Sequence, residues 1–174
     1  MLLNQMLINK IKQDVVSFAI EETENFLKEN EGKIFYAFAF DLNAEYGELN
    51  LCFNTKEDFN KTLQHYQNSN SSCDYRSEEE IQNLKYNTGD WEYQCFSTIY
   101  PISENELTAI FQKLPNDDLL SKFIEEIVQI FSECLTLFKQ TETYQKIPKT
   151  TDFIVFTIDH DEEVEEALSR LDRY

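Results

Sequence analysis

The chain is poor in glycine, with 3 among 174 residues, and they build neither a G-x-G-x-x-G turn nor a Walker loop. A phosphate cradle made of backbone amides therefore has no sequence support. Arginine is as scarce: Arg76, Arg170 and Arg173 are the only three, and they form no basic stripe. Direct nucleic-acid binding is not expected, because its affinity comes largely from Lys and Arg displacing counterions. No stretch approaches the roughly 20 consecutive apolar residues of a spanning helix, which leaves no expectation of membrane insertion. The opening MLLNQMLINK is interrupted by Asn4, Gln5 and Asn9, lacks a basic start and has no small-residue cleavage site, so no export signal is read there. Cys52, Cys73, Cys95 and Cys134 lie far apart in no C-x-x-C pattern. Cys52 and Cys134 fall in apolar periodic segments, where a reduced thiol behaves as a small hydrophobe. These absences together favour a cytoplasmic location.

What the chain has in excess is acid: 33 Asp and Glu stand against 15 Lys and Arg, a formal net charge of -18. Such a field repels phosphate backbones and anionic surfaces and attracts cationic partners, mostly through association rate, over a Debye length of about 8 Å at physiological salt. Hydrophobic residues make up 41% and aromatics 14%. That suffices for one sizeable core, so residues 1–174 are expected to form a single globular domain.

Leu3, Leu7, Ile11, Val15, Phe18 and Phe26 recur at helical steps, giving a long amphipathic helix over residues 2–29 that Asn30 and Gly32 end. Residues 34–40 read as a strand apolar on both sides, with Phe35, Ala37 and Ala39 on one face and Tyr36, Phe38 and Phe40 on the other, hence central. A turn over residues 44–47, with Gly47 supplying a positive φ, leads to a half-buried partner carrying Leu49, Leu51 and Phe53. Thr55 and Asp58 form a capping box for a helix beginning at Lys56 and carrying Phe59, Leu63 and Tyr66.

Residues 67–80, polar and rich in Ser and Asn, read as a loop. A short strand is read near residues 84–87, with a turn at residues 88–90. Ser103 and Glu106 make a second capping box for a helix with Leu107, Ile110, Phe111 and Leu114, stopped by Pro115. A longer helix starts at Asn116, with Asp117 and Asp118 at its positive end and a core face of Leu120, Ile124, Ile127, Phe131, Cys134 or Leu135, and Phe138. Residues 153–158 form an apolar strand, after which Asp159 can cap a last helix with Val164, Ala167, Leu168 and Leu171 inward. The sum is an α+β fold: a small, mostly antiparallel sheet of three to five strands with helices packed on both faces.

Candidate chemistry is thin. Asp159, His160, Asp161, Glu162 and Glu163 are suitable donors for a divalent cation, but acids belong in a first helical turn, with Arg170 and Arg173 at the far end. No calcium-loop spacing is present, and no metal is expected. His65 and His160 have no nucleophile motif nearby; Ser97, Ser103 and Ser121 lack a G-x-S-x-G setting, and Cys95 lacks a protease signature. No catalytic residue and no cofactor is assigned. The set singled out is Asp41, Glu45, Glu48 and Asp90 beside Tyr46, Trp91 and Tyr93: carboxylates to meet a basic partner and aromatics to anchor it. Trp91 and Tyr93 equally suit core or rim packing, and the acids a solvated surface.

Three pieces carry a family likeness: FYAFAFDLNAEYGELNLCFNTKEDF over residues 35–59, LKYNTGDWEY over residues 84–93, and DFIVFTIDHDEE over residues 152–163. In this order they resemble a bacterial family known only as a domain of unknown function, number four-three-zero-three. The family offers no catalytic residues to carry over. The resemblance implies a bacterial origin and the role of an immunity protein in a polymorphic toxin system.

The expectation is thus a non-enzymatic acidic binding protein, monomer or homodimer, that neutralises a basic protein partner such as a toxin domain. Its alternative is a housekeeping or stress protein binding a small ligand between the sheet and residues 86–100. An enzyme with a site assembled from distant residues ranks third.

Overall fold

Six consecutive residues, Phe35, Tyr36, Ala37, Phe38, Ala39 and Phe40, are each 0% exposed. A strand so apolar is stable only between two covering layers. The computed structural model describes residues 3–69, 75–114, 117–160 and 162–170. It places this strand, β1 (Phe35–Asn43), between β2 (Glu48–Thr55) and β4 (Lys149–Asp159), with β3 (Tyr93–Ile99) outside β2, in the order β3-β2-β1-β4. The helices among the described residues are α1 (Gln5–Glu29), α2 (Lys56–Asn68), α3 (Glu78–Tyr86), α4 (Glu104–Phe111), α5 (Asp117–Lys139), α6 (Glu142–Lys146) and α7 (Val164–Ser169). The fold is α+β.

One layer is built from α1 and α5. Ile8, Ile11, Val15, Ala19 and Phe26 of α1, with Phe123, Ile127, Phe131 and Phe138 of α5, pack on Phe35, Phe38, Phe40, Leu49, Leu51 and Phe53. The other layer is smaller: Phe59 of α2, Tyr86 of α3, Trp91, and Ala167 and Leu168 of α7 cover Tyr36, Ala37, Ala39, Cys52, Phe156 and Ile158. Helices therefore flank the sheet on both faces.

The sheet is mixed rather than mostly antiparallel. The β1 and β2 strands form an antiparallel hairpin and β3 joins β2 antiparallel, but β4 runs parallel to β1. A long helical connection permits this: it returns the chain to the start of β1, where the Phe35 amide donates to the Pro148 carbonyl at 2.9 Å. Strict alternation along β1 also fails, because the register shifts between Phe35 and Ala37. That bulge puts Phe35 with Phe38 and Phe40, and Tyr36 with Ala37 and Ala39. The β2 strand is buried on both faces rather than half-buried. Its polar residues are matched inside: Asn54 Nδ2 donates to the Tyr36 hydroxyl at 3.2 Å, and Asn54 Oδ1 accepts from the Thr55 amide.

Local signals placed the starts of α2 and α4, while α1, read from residue 2, begins at Gln5. Asn4, Thr55 and Ser103 cap α1, α2 and α4, the last with a complete capping box. Residues 84–87 are not a strand: Ser77 and Glu80 form a capping box, three glutamates occupy the first turn, and the segment is α3. Both ends of the expected loop over residues 67–80 are helical, with α2 running to Asn68 and α3 starting at Glu78, and residues 70–74 lie outside the described residues. Gly47 has φ 61, as a tight return after the 3-10 turn Ala44–Tyr46 requires. Asp159 does not cap α7, whose first flanking residue is Glu163; its carboxylate accepts instead from the Ala44 amide at 2.9 Å, tying the end of β4 to that turn. Arg170 ion-pairs with Glu162 and donates to the Thr157 carbonyl at 2.9 Å. Cys73, Pro115, Asn116, the Asp117 side chain, Asp161, Leu171 and Arg173 lie outside the described residues. No described helix is long and apolar enough to cross a membrane.

Phe38 touches Phe40, Phe53 and Phe138, with ring centroids 4.6 to 5.7 Å apart. Phe38→Ala is expected to cost about 3–5 kcal/mol of stability in urea unfolding, the range for emptying a buried aromatic site. A loss below about 1 kcal/mol would show that the two layers do not depend on this strand.

Candidate functional site

The alternation of β1 after its bulge carries Asp41 onto the same face as Ala37 and Ala39. This is the margin of the smaller helical layer, which still covers Ile158 beside it. Asp41 faces Asn50 of β2 on one side and Ile158 of β4 on the other. Its Oδ2 accepts from Thr88 Oγ1 at 2.5 Å, from the 3-10 turn Thr88–Asp90 that follows α3. Burial lifts the Asp41 pKa above its ordinary value; the Thr88 hydroxyl and His160 pull it down, while Asp159 and Glu48 push it further up.

The polar row continues across the sheet. Asn50 Oδ1 accepts from Thr98 Oγ1 at 2.5 Å, and Asn50 Nδ2 donates to Glu48 Oε1 at 2.9 Å. The neighbouring Glu48 carboxylate raises the Tyr100 phenol above its ordinary pKa. Tyr46, just ahead of Gly47, and Tyr100 are each 59% exposed. Large aromatics this open are uncommon in a domain whose other rings are so thoroughly packed. One end of the sheet thus presents Asp41, Glu45 and Glu48 with two solvent-facing tyrosines.

The remaining residues of the expected set are employed elsewhere. Asp90 accepts from Tyr66 Oη at 2.6 Å and from Asn87 Nδ2 at 2.7 Å, clasping α2 to the 3-10 turn, and it pushes the Tyr66 phenol up to about 12. Trp91 is 2% exposed, donates from Nε1 to the Lys85 carbonyl at 3.0 Å, and packs on Tyr36 and Phe156. Tyr93 belongs to the opposite face, against Phe26 and Phe35. Core packing, the alternative for these two rings, is where the fold puts them. Tyr100, Asn50 and Thr98 escaped the sequence reading, because only cross-strand register brings them to Glu48.

Beside Asp41 a polar cleft of about 340 Å³ opens between α3 and the end of β4, lined by Asn83, Asn87, Thr88 and His160. The His160 amide donates to the Leu42 carbonyl at 2.8 Å, which holds this residue against the end of β1. No group of three or more His, Cys, Asp or Glu among the described residues is placed to hold a metal ion.

Fold and site define an α+β protein with a four-stranded mixed sheet and an acidic, tyrosine-bearing sheet end. The family model described as domain of unknown function (DUF4303) matches residues 15–173, and the chain belongs to that family. No curated protein and no solved structure matches it.

Because the folded-state pKa of Asp41 is raised, the native fold holds this proton more tightly than the unfolded chain does. Its contribution to stability rises as pH falls from neutral through the folded value and levels off below the ordinary aspartate value. Asp41→Asn keeps an acceptor for Thr88 and removes the buried charge. It should raise the melting temperature at neutral pH, with the gain shrinking as the pH is lowered. A variant less stable at neutral pH would contradict this assignment.

Proposed function

We propose that the protein is a non-enzymatic acidic binding protein that engages a cationic protein partner through the end of its sheet. The observation carrying this reading is the pair Tyr46 and Tyr100, both 59% exposed, set about Glu48 in a chain of net charge -18. Exposed tyrosines surrounded by carboxylates combine the two elements of a charge-steered interface. The rings become anchors once water is excluded, and the field raises the encounter rate. Glu45 and Asp41 extend the same acidic surface, with Asp90 on the adjoining turn.

Within this reading the most specific role is that of a bacterial cytoplasmic immunity protein that occludes a basic toxin domain. A nuclease must be basic to hold phosphates, so an acidic protein seated in its groove excludes the nucleic acid by occupying the same charge-complementary surface. The binding unit is a monomer or a homodimer.

The cleft beside Asp41 favours a second reading, a small hydrogen-bonding ligand of the protein. Its volume of about 340 Å³ lies at the lower end of known ligand sites. A thermal-shift screen separates the two. A small ligand at about 100 times its Kd adds about 2.7 kcal/mol without any protein partner, whereas the first reading predicts stabilisation only when the partner is supplied.

The direct test uses the tagged protein as bait in cells of its source, with salt-gradient elution and kinetics on the protein recovered. Glu45→Lys with Glu48→Lys is expected to slow association by about tenfold or more at low salt. Tyr46→Ala with Tyr100→Ala is expected to cost at least about 2 kcal/mol, mostly through faster dissociation. Binding indifferent to salt, to both charge reversals and to both truncations would overturn the proposal.

A further inference from the structure

The register between β2 and β3 is regular at Leu51 with Ser97 and at Phe53 with Tyr93. Between them β3 sets Gln94, Cys95 and Phe96 against the single residue Cys52. This bulge turns Cys95 into the left-handed region, at φ 48, a conformation uncommon for any residue but glycine. The turn brings its backbone onto the neighbouring sulfur: the Cys95 amide donates to Cys52 Sγ at 3.2 Å. The two thiols also shift each other, Cys52 upward and Cys95 downward in pKa. Two reduced cysteines are thus in mutual contact, one exposed at the sheet edge and the other 0% exposed beneath it.

We propose that Cys95 and Cys52 form a reversible thiol-oxidation site, in which Cys95 reacts with a hydroperoxide and Cys52 resolves the product to a disulfide. The asymmetry of the pair assigns the roles. Cys95 is open to solvent, and its pKa is lowered by the neighbouring Cys52 thiol, against the opposing influence of burial, Asp41 and Glu48. Cys52 is buried, and its pKa is raised. The thiolate is the nucleophile, so the exposed partner reacts first. Cys134, the third described cysteine, is buried in α5 with its thiol pushed up to about 12, which makes it inert by the same argument.

The chemistry balances with one hydroperoxide. The Cys95 thiolate attacks a peroxide oxygen; an S–O bond forms, the O–O bond breaks, and the leaving oxygen takes up a proton as an alcohol, or as water when the oxidant is hydrogen peroxide. The Cys52 sulfur then attacks Cys95 Sγ; the S–S bond forms, the S–O bond breaks, and the oxygen leaves as water with the thiol proton. Two thiols are oxidised by two electrons and one peroxide is reduced by two. The Cys95 amide nitrogen lies 3.2 Å from Cys52 Sγ across the two neighbouring strands, the closeness that a disulfide between them requires. The site is independent of the partner-binding reading.

The test treats the folded full-length chain with hydrogen peroxide, blocks free thiols by alkylation, and maps peptides without reduction. The expected result is a loss of two hydrogen masses, a Cys52–Cys95 cross-linked peptide, and its reversal by a dithiol reductant. The same cross-link is expected in a Cys73→Ser, Cys134→Ser background. In Cys52→Ser the resolving thiol is gone, and Cys95 is expected to accumulate as a sulfenic acid that a cyclic 1,3-dione traps. The wild-type map requires no variant to fold. Absence of the cross-linked peptide, passage of wild-type Cys95 directly to the sulfinic acid, or earlier modification of Cys134 than of Cys95 would overturn the proposal.

Discussion

Burial of β1 on both faces is the constraint on which the rest of the molecule depends. From Phe35 to Phe40 the strand offers water no surface, so each face must find its own covering layer. The long helices α1 and α5 supply one, meeting Phe38, Phe40 and Phe53 with their own Phe26, Phe131 and Phe138. The second is pieced together from short elements, α2, α3 and α7, and from Trp91, which reaches Tyr36 and Phe156. Ala37 and Ala39 on that face leave room for large rings to approach. The bulge at Tyr36 then sorts the aromatics so that each layer receives rings it can pack.

The site exists where this arrangement runs out. Beyond Ala39 the second layer still covers Ile158 on the β4 side, but the side chain that β1 brings to its margin is a carboxylate rather than another ring. Asp41 is held by Thr88 and raised in pKa by its surroundings, so its charge is retained at a cost in stability. Such a residue is a better functional marker than a fully solvated acid, because hydration alone does not account for its position. Glu48, Asn50, Thr98 and Tyr100 extend the polar row to the sheet edge, and the paired cysteines lie in the same stretch of β2 and β3.

What was legible in the sequence was local. Thr55 with Asp58 and Ser103 with Glu106 mark helix starts within four residues, and the run of residues 34–40 reveals a doubly buried strand without any partner in view. Non-local features escaped. The direction of β4 depends on how more than a hundred residues of connection return to β1, and the Tyr36 bulge on a register shift that involves both neighbours. Ser77 and Glu80 are as local as the other capping boxes, but they sit in a polar acidic stretch that reads as a loop. Of the expected site, Asp41, Glu45, Tyr46 and Glu48 fall together because one hairpin carries them. Trp91 and Tyr93 are two residues apart, which in composition looks like one aromatic patch, yet the sheet sends them to opposite faces.

The measurement that bears most directly on the central claim is hydrogen–deuterium exchange of the protein alone and in complex with the basic protein recovered from its source cells. The account predicts new protection over residues 41–50 and 96–102, the hairpin end and the end of β3 with the Tyr100 that follows it, with α1 and α5 unchanged. Protection confined to the α1 and α5 layer, with the hairpin end exchanging as in the free protein, would contradict it.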